Sequence, residues 1–211
     1  MTPIVAPGFV DPVHDGQRTF RRILSAMSEP GSVVTVQAEL PDLGCSSAAV
    51  ACILTLADFD TPTWISPSVV ADMSTYLRFH AGVPTAQDPH AAAFALVATP
   101  SDLPPLSAFN PGTAMSPEAS TTIVLEVEDF DGGIPVHLTG PGLASPRQFS
   151  PKGISVELWT ELQDNHARFP AGVDLVFCCG DKIVGLPRST EVHVSYPVTT
   201  DEPATSIYQN L

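Results

Sequence analysis

The stretch from Phe169 to Val194 constrains the fold of this chain more than any other. Val173 to Cys179 is almost continuously apolar, broken only by Asp174, and Lys182 to Leu186 returns as a second apolar run that Pro187 stops. Gly180-Asp181 separates the two, and glycine at the first of two loop positions suits a mirror-image hairpin turn. A strand that is apolar on both faces has to be covered on both faces. The stretch therefore predicts a hairpin inside the central sheet of a layered α/β domain. It holds no nucleophile beside a base and no phosphate loop, so it speaks for fold and not for catalysis.

The rest of the chain supplies the layers. Asp11-Pro12 reads as an N-cap followed by proline at the first helical position. Phe20, Ile23, Leu24 and Met27 then fall at i, i+3, i+4 and i+7, which predicts one inward face of a helix ended by Ser28-Glu29-Pro30-Gly31. Val33 to Val36 is strand-like. Ser46 or Ser47 caps a second helix, with Val50, Ile53, Leu54 and Ala57 inward, and its apolar character on most sides predicts deep packing. Thr63 to Ile65 is a short strand. Ser66-Pro67 opens a third helix whose inner face is Val70, Met73, Tyr76 and Leu77. Ala92 to Ala98 is a strand. Pro100 to Pro117 contains five prolines and reads as loop with one helical turn at best. Thr121 to Val127 and Val136 to Thr139 flank Asp129-Phe130-Asp131-Gly132-Gly133, which predicts a second hairpin. Val156, Leu158, Trp159 and Leu162 mark a last helix, and Val192 to Val194 a last short strand. This gives a flexible lead-in over 1–11, one α/β domain over 12–194, and a polar, proline-bearing tail over 195–211 that reads as mobile.

Charge and composition narrow the function classes. Apolar residues make up 44% of the 211, so the chain can bury a core. No apolar run approaches the roughly 20 residues of a membrane span. The N-terminus lacks a basic region followed by an apolar core, which places the chain in the cytoplasm. The net charge of −14 carries no basic stripe and excludes the usual nucleic-acid binder. Cys45, Cys52, Cys178 and Cys179 form no C-x-x-C pair, and neighbours on a strand point to opposite faces, so buried free thiols are expected.

Candidate chemistry is sparse. The six histidines show neither of the helical spacings that put two metal ligands on one face, and no metal is expected. There is no nucleophile elbow. Pyridoxal phosphate needs a lysine, and Lys152 and Lys182 are the two in the chain. Neither has a phosphate cup or a partner acid in sequence, so no cofactor is expected. The seven arginines are more informative because they are scarce. Arg21, Arg22, Arg78 and Arg188 lie in sharply patterned segments, and guanidinium is suited to bidentate anion recognition. Arg21, Arg78, His80 and Arg188 are thus the candidates for an anion site that would take a nucleoside triphosphate. Ion pairing with some of the 23 acids is the competing and preferred reading.

Several segments together resemble a known family. They are Phe20 to Gly31, Leu54 to Pro62, Leu77-Arg78-Phe79-His80, Gly112-Thr113-Ala114, Pro117-Glu118-Ala119, Leu138 to Gly142, Phe169 to Asp174 and Gly185 to Thr190. In this order they resemble PhnH, a subunit of the carbon–phosphorus lyase core complex of bacterial phosphonate breakdown. The resemblance implies a three-layer α/β/α fold with a mixed, mostly parallel sheet, similar to the large domain of pyridoxal-phosphate-dependent transferases without the cofactor site. It implies a homodimer in isolation and assembly with PhnG, PhnI and PhnJ. That complex transfers the ribose triphosphate part of ATP to a phosphonate, displacing adenine. The resemblance brings no catalytic residue to this subunit. The apolar surface around Val50 to Ala57 and Val69 to Leu77 exceeds what one sheet face needs, which also points to a dimer.

Overall fold

The computed structural model describes residues 5–194, so the expected tail over 195–211 lies outside the described residues. Among the described residues, four α-helices, α1 (Pro12–Ser28), α2 (Ser47–Leu56), α3 (Val70–Ala81) and α4 (Val156–Ala167), accompany nine strands. Six of the strands form one mixed sheet. These are β1 (Val33–Thr35), β2 (Thr63–Ile65), β3 (Phe94–Val97), β4 (Thr122–Glu126), β7 (Asp174–Cys179) and β8 (Lys182–Leu186). Their spatial order is β1-β8-β7-β4-β3-β2. β2, β3, β4 and β7 run parallel, and β8 and β1 add antiparallel pairings at one side. β5 (Val136–Thr139), β6 (Arg147–Phe149) and β9 (Glu191–Val194) form a separate three-stranded antiparallel sheet in the order β6-β5-β9.

The expected hairpin is β7–β8. Cys179 pairs with Lys182 across Gly180-Asp181, and Gly180 adopts a φ of +61°, which the turn requires and glycine tolerates. Side chains alternate along the central strands, so the sheet has two buried faces. Leu96, Val124, Val176, Cys178 and Ile183 point towards α1, α2 and α3. Ala95, Val97, Ile123, Leu125, Leu175, Phe177 and Val184 point towards α4, the prolyl loop and the small sheet. The double-sided burial read from the sequence follows from these two cores.

Four local expectations are corrected. The first concerns α1, whose buried face is Thr19, Ile23 and Ala26, with Met27 at its margin. Phe20 and Leu24 are 44% and 52% exposed. The helix turns small side chains to the sheet because β8 presents Gly185, where an added Cβ would stand 2.5 Å from the Ala26 carbonyl oxygen. Second, Thr121 to Val127 and Val136 to Thr139 do not pair with each other. β4 is held by parallel partners on both sides, and the Asp129–Gly133 turn leads out to the small sheet. Third, α3 begins at Val70 and not at Ser66-Pro67, because the Ser66 hydroxyl accepts from the Ala98 amide instead of capping the helix. Fourth, the prolyl passage holds three short 3-10 turns, at Pro100–Asp102, Leu106–Ala108 and Pro117–Ala119.

The apolar surface expected to be spare is also used internally. Ala48 to Ile53 are all buried between the sheet, α1 and α3, as are Met73, Tyr76 and Leu77. Residues before α1 lie along α3, where the Tyr76 hydroxyl donates to the Pro7 carbonyl and the His80 ring meets the Ala6 carbonyl.

Candidate functional site

In parallel α/β sheets the carboxyl ends of the strands are where ligands bind. Here β3, β4 and β7 end on a cleft of about 500 Å³ lined by Thr99, Ser101, Glu126, Glu128, Lys152 and Cys179, among others. The N-terminus of α2 faces this end. Its Ser46 cap, which would be free to hold an anion, is already occupied by protein. One carboxylate oxygen of Glu126 accepts from the Ser46 amide at 3.1 Å and the Ser46 hydroxyl at 2.8 Å. Burial raises the Glu126 carboxyl above its ordinary value, against the pull of those two hydrogen bonds. Lys152 is exposed and paired with Glu128 at 2.8 Å, a contact that raises its own proton affinity. Cys179 donates to the Glu128 carbonyl, and burial pushes its thiol up. Cys45, behind the cleft, is pushed up to about 12 by burial. Thiols of this kind are poor nucleophiles.

The lining therefore does not fit pyridoxal phosphate. Lys152 stands at the right edge of the sheet for a Schiff base, but its ammonium is held by a carboxylate. The helix end that would cradle the phosphate meets Glu126 instead. Lys182 is exposed at the first position of β8, between Cys179 of β7 and Thr35 of β1. Among the described residues, no cluster of three or more His, Cys, Asp or Glu side chains could hold a metal ion.

The amino ends of the same strands are built differently. Arg188, just after β8, pairs with Asp174 at the start of β7 through its Nη2, and its Nε reaches the same carboxylate at 3.1 Å. The Arg188 amide also donates to Asp174 at 2.8 Å. Its Nη1 donates to the Pro117 carbonyl at 2.7 Å. One guanidinium thus ties the entries to β4 and β7 to the exit of β8. Asn165, buried at the end of α4, accepts from the Val173 amide at 2.8 Å and donates to the Val173 carbonyl at 2.9 Å. The Gly172 amide donates to the Pro111 carbonyl at 2.7 Å. Arg147 extends the network by donating to the Pro30 carbonyl at 2.8 Å, where α1 gives way to β1.

The sequence candidates for anion binding are not brought together. Arg188 is consumed by Asp174 and two carbonyls. His80 faces the Ala6 carbonyl and packs against Tyr76, with ring centres 4.5 Å apart and planes tilted by 56°. Arg78 and Arg21 are exposed on different helices, with no ion pair among the described residues. Sequence reasoning missed Arg147, Asn165 and Glu126. Their partners lie 117, 8 and 80 residues away, and no local pattern marks them.

A family model described as bacterial phosphonate metabolism protein (PhnH) matches residues 7–193. The chain belongs to the PhnH family. A curated relative from Rhizobium meliloti (strain 1021), named α-D-ribose 1-methylphosphonate 5-triphosphate synthase subunit PhnH, is 35% identical over 90% of this chain and 96% of its own length. Another, from Stutzerimonas stutzeri, is named putative C-P lyase subunit protein HtxG, and is 33% identical over 84% of this chain and 86% of its own length. Most of the segments that resemble PhnH gather at one end of the fold, while Phe20 to Met27 runs along α1 and Leu138 to Gly142 ends β5 of the small sheet and the turn after it. Leu54 to Pro62, Leu77 to His80, Gly112 to Ala119 and Phe169 to Asp174 precede the amino ends of β2, β3, β4 and β7 or open them. Gly185 to Thr190 is the exit of β8 at the same end, and Ser28 to Gly31 closes α1 against it, with the Gly31 amide on the Gly185 carbonyl at 3.1 Å. None of the six cleft residues named at the carboxyl end belongs to these segments.

Proposed function

We propose that this PhnH-family chain is a subunit of a carbon–phosphorus lyase core complex in phosphonate catabolism. In that complex it is needed, with PhnG, PhnI and PhnJ, to form the ribose 1-phosphonate 5-triphosphate from ATP and phosphonate, and is itself non-catalytic. One observation carries the reading: of the four arginines in the family-like segments, Arg188 is spent on cross-linking the chain's own turns, while Arg21, Arg22 and Arg78 are exposed on two different helices. A polyphosphate site would need such groups free and convergent. The carboxyl-end cleft, where a ligand would be sought, carries Glu126 and Glu128 against one paired lysine, and this opposes a triphosphate. The arginine-based anion site is the weaker reading for the same reason.

In this reading the chain works in the cytoplasm without pyridoxal phosphate, on a fold similar to the large domain of pyridoxal-phosphate-dependent transferases. On its own it is a homodimer. The exposed line of Val13, Phe20 and Leu24 along α1 supports the last point, because it offers apolar area that the chain's own core does not cover.

The test is reconstitution. The assembled subunits, with and without this chain, are supplied with ATP and methylphosphonate, and adenine release is followed. The reading expects turnover that needs the chain, none from the chain alone, and no borohydride-trapped pyridoxyl group on Lys152 or Lys182. Adenine release by the isolated chain would overturn it.

A further inference from the structure

We propose that the amino end of the six-stranded sheet is a docking face for a different polypeptide. That partner would offer an apolar hollow to Phe59, Phe79 and Phe169 and carboxylates to Arg78 and Arg168. The proposal rests on the assembly-subunit reading and names the surface that would serve it.

Phe59, Phe79 and Phe169 are 71%, 68% and 59% exposed. Single exposed apolar side chains are ordinary. These three are not scattered, because each lies at the end of the sheet where the parallel strands start: Phe59 in the turn into β2, Phe79 in the last turn of α3, and Phe169 in the turn between α4 and β7. With β4 between β3 and β7, the four strands are neighbours at a spacing of about 4.8 Å, so the entries span roughly 14 Å. That is well within one side of a standard protein interface, about 800 Å². Gly82 ends α3 in the left-handed region and brings that end beside Phe59, where an added Cβ would lie 3.5 Å from the Phe59 Cβ. The supporting turns are held by Arg188 on Pro117 and by Gly172 on Pro111. Aromatic anchors on fixed backbone lose little entropy on docking, and such residues dominate interface energetics.

Charge selects the occupant. Arg78 and Arg168 are each adjacent in sequence to one of these phenylalanines, exposed, and in no ion pair among the described residues. The acids at this end are partly engaged: Asp174 by Arg188, and Asp58 by the Asp60 amide and the Thr61 hydroxyl. Asp60 and Glu118 are exposed. A second copy would bring another −14 formal charges and would set its own Arg78 and Arg168 in the same contact. A different chain needs only a few carboxylates opposite the two arginines.

The test titrates the full chain against the co-purified PhnG, PhnI and PhnJ assembly by calorimetry, at low and high salt. Phe59→Ser with Phe79→Ser, and Arg78→Glu with Arg168→Glu, are compared with Val10→Ser, an exposed apolar residue just before α1 that belongs to neither proposed interface. The expected result is at least a tenfold loss of affinity for each double variant and none for Val10→Ser. The salt dependence should weaken in the arginine variant, and all melting points should be unchanged. Variants that bind like wild type overturn the docking face while leaving the assembly reading intact. A wild-type chain that binds nothing overturns both. Loss of self-association in place of subunit binding, seen by sedimentation, overturns the choice of a different chain.

Discussion

The two ends of the central sheet are made by the same strands and handle buried charge in opposite ways. At the amino end the Asp174 carboxylate meets a guanidinium, an amide and a turn that all need it. At the carboxyl end the Glu126 carboxylate meets only Ser46, and burial leaves its proton held more tightly than usual. A charge paired and hydrogen-bonded on every side fixes geometry, whereas a half-satisfied one in a cleft leaves it open to water. In a catalytic α/β protein the specialised groups belong at the carboxyl end. In this PhnH-family chain the specialised segments lie at the other end, and what they specify is a rigid set of turns.

The comparison breaks first at Arg188. Arg188→Met leaves the largely buried Asp174 without its partner, which costs about 3–5 kcal/mol. For a domain of this size that is a fall of roughly 6–20 °C in Tm. Asp174→Asn combined with Arg188→Met should recover part of it, since the stranded charge is then gone. Differential scanning calorimetry of the three proteins decides the point. A single variant that melts with wild type would mean that the amino end is not cross-linked.

Much of the fold was legible and much of the site was not, for one physical reason. The β7–β8 hairpin is a local structure in which turn glycine and two apolar runs sit within 14 residues, so the sequence displays it whole. The layered class followed from it. The Asp129–Gly133 turn carries equally good local chemistry, yet β4 is claimed by β3 and β7, from far along the chain. Phe20 and Leu24 satisfied the helical period, but periodicity marks an apolar line and does not say whether the core or a neighbour covers it. The true buried line used Thr19 and Ala26, which close packing on Gly185 favours. Arg188 was noticed as scarce. That it is spent on Pro117, 71 residues away, has no sequence signal.

A smaller effect sharpens the amino end. Asn165→Leu removes both bonds to Val173 and leaves a buried amide and carbonyl unpaired, at about 1–3 kcal/mol. Hydrogen exchange should then speed up at Val173 before any change is seen in β4. Equal protection in both proteins would show that Asn165 is a spectator.

The carboxyl end should respond least, and to pH. Folding raises the Glu126 carboxyl above its ordinary value of 4.5, so the folded chain binds that proton more tightly than the unfolded chain. Stability from this group is therefore full at pH below the ordinary value and is lost as pH climbs through the raised one. Glu126→Gln removes the loss. The variant should gain on wild type across that window and hold a constant advantage above it, read from urea unfolding at a series of pH values. A difference that does not change with pH would place Glu126 in an ordinary surface environment.

The central claim is that the amino end meets other chains and the carboxyl cleft does not carry the chemistry. Hydrogen–deuterium exchange of the full chain, free and in complex with the other core subunits, tests it most directly. The account predicts new protection over residues 58–61, 78–82, 112–118 and 168–172, with 98–101, 126–129, 152–153 and 179–181 unchanged. Protection confined to the second set, strengthened by adding ATP, would contradict it.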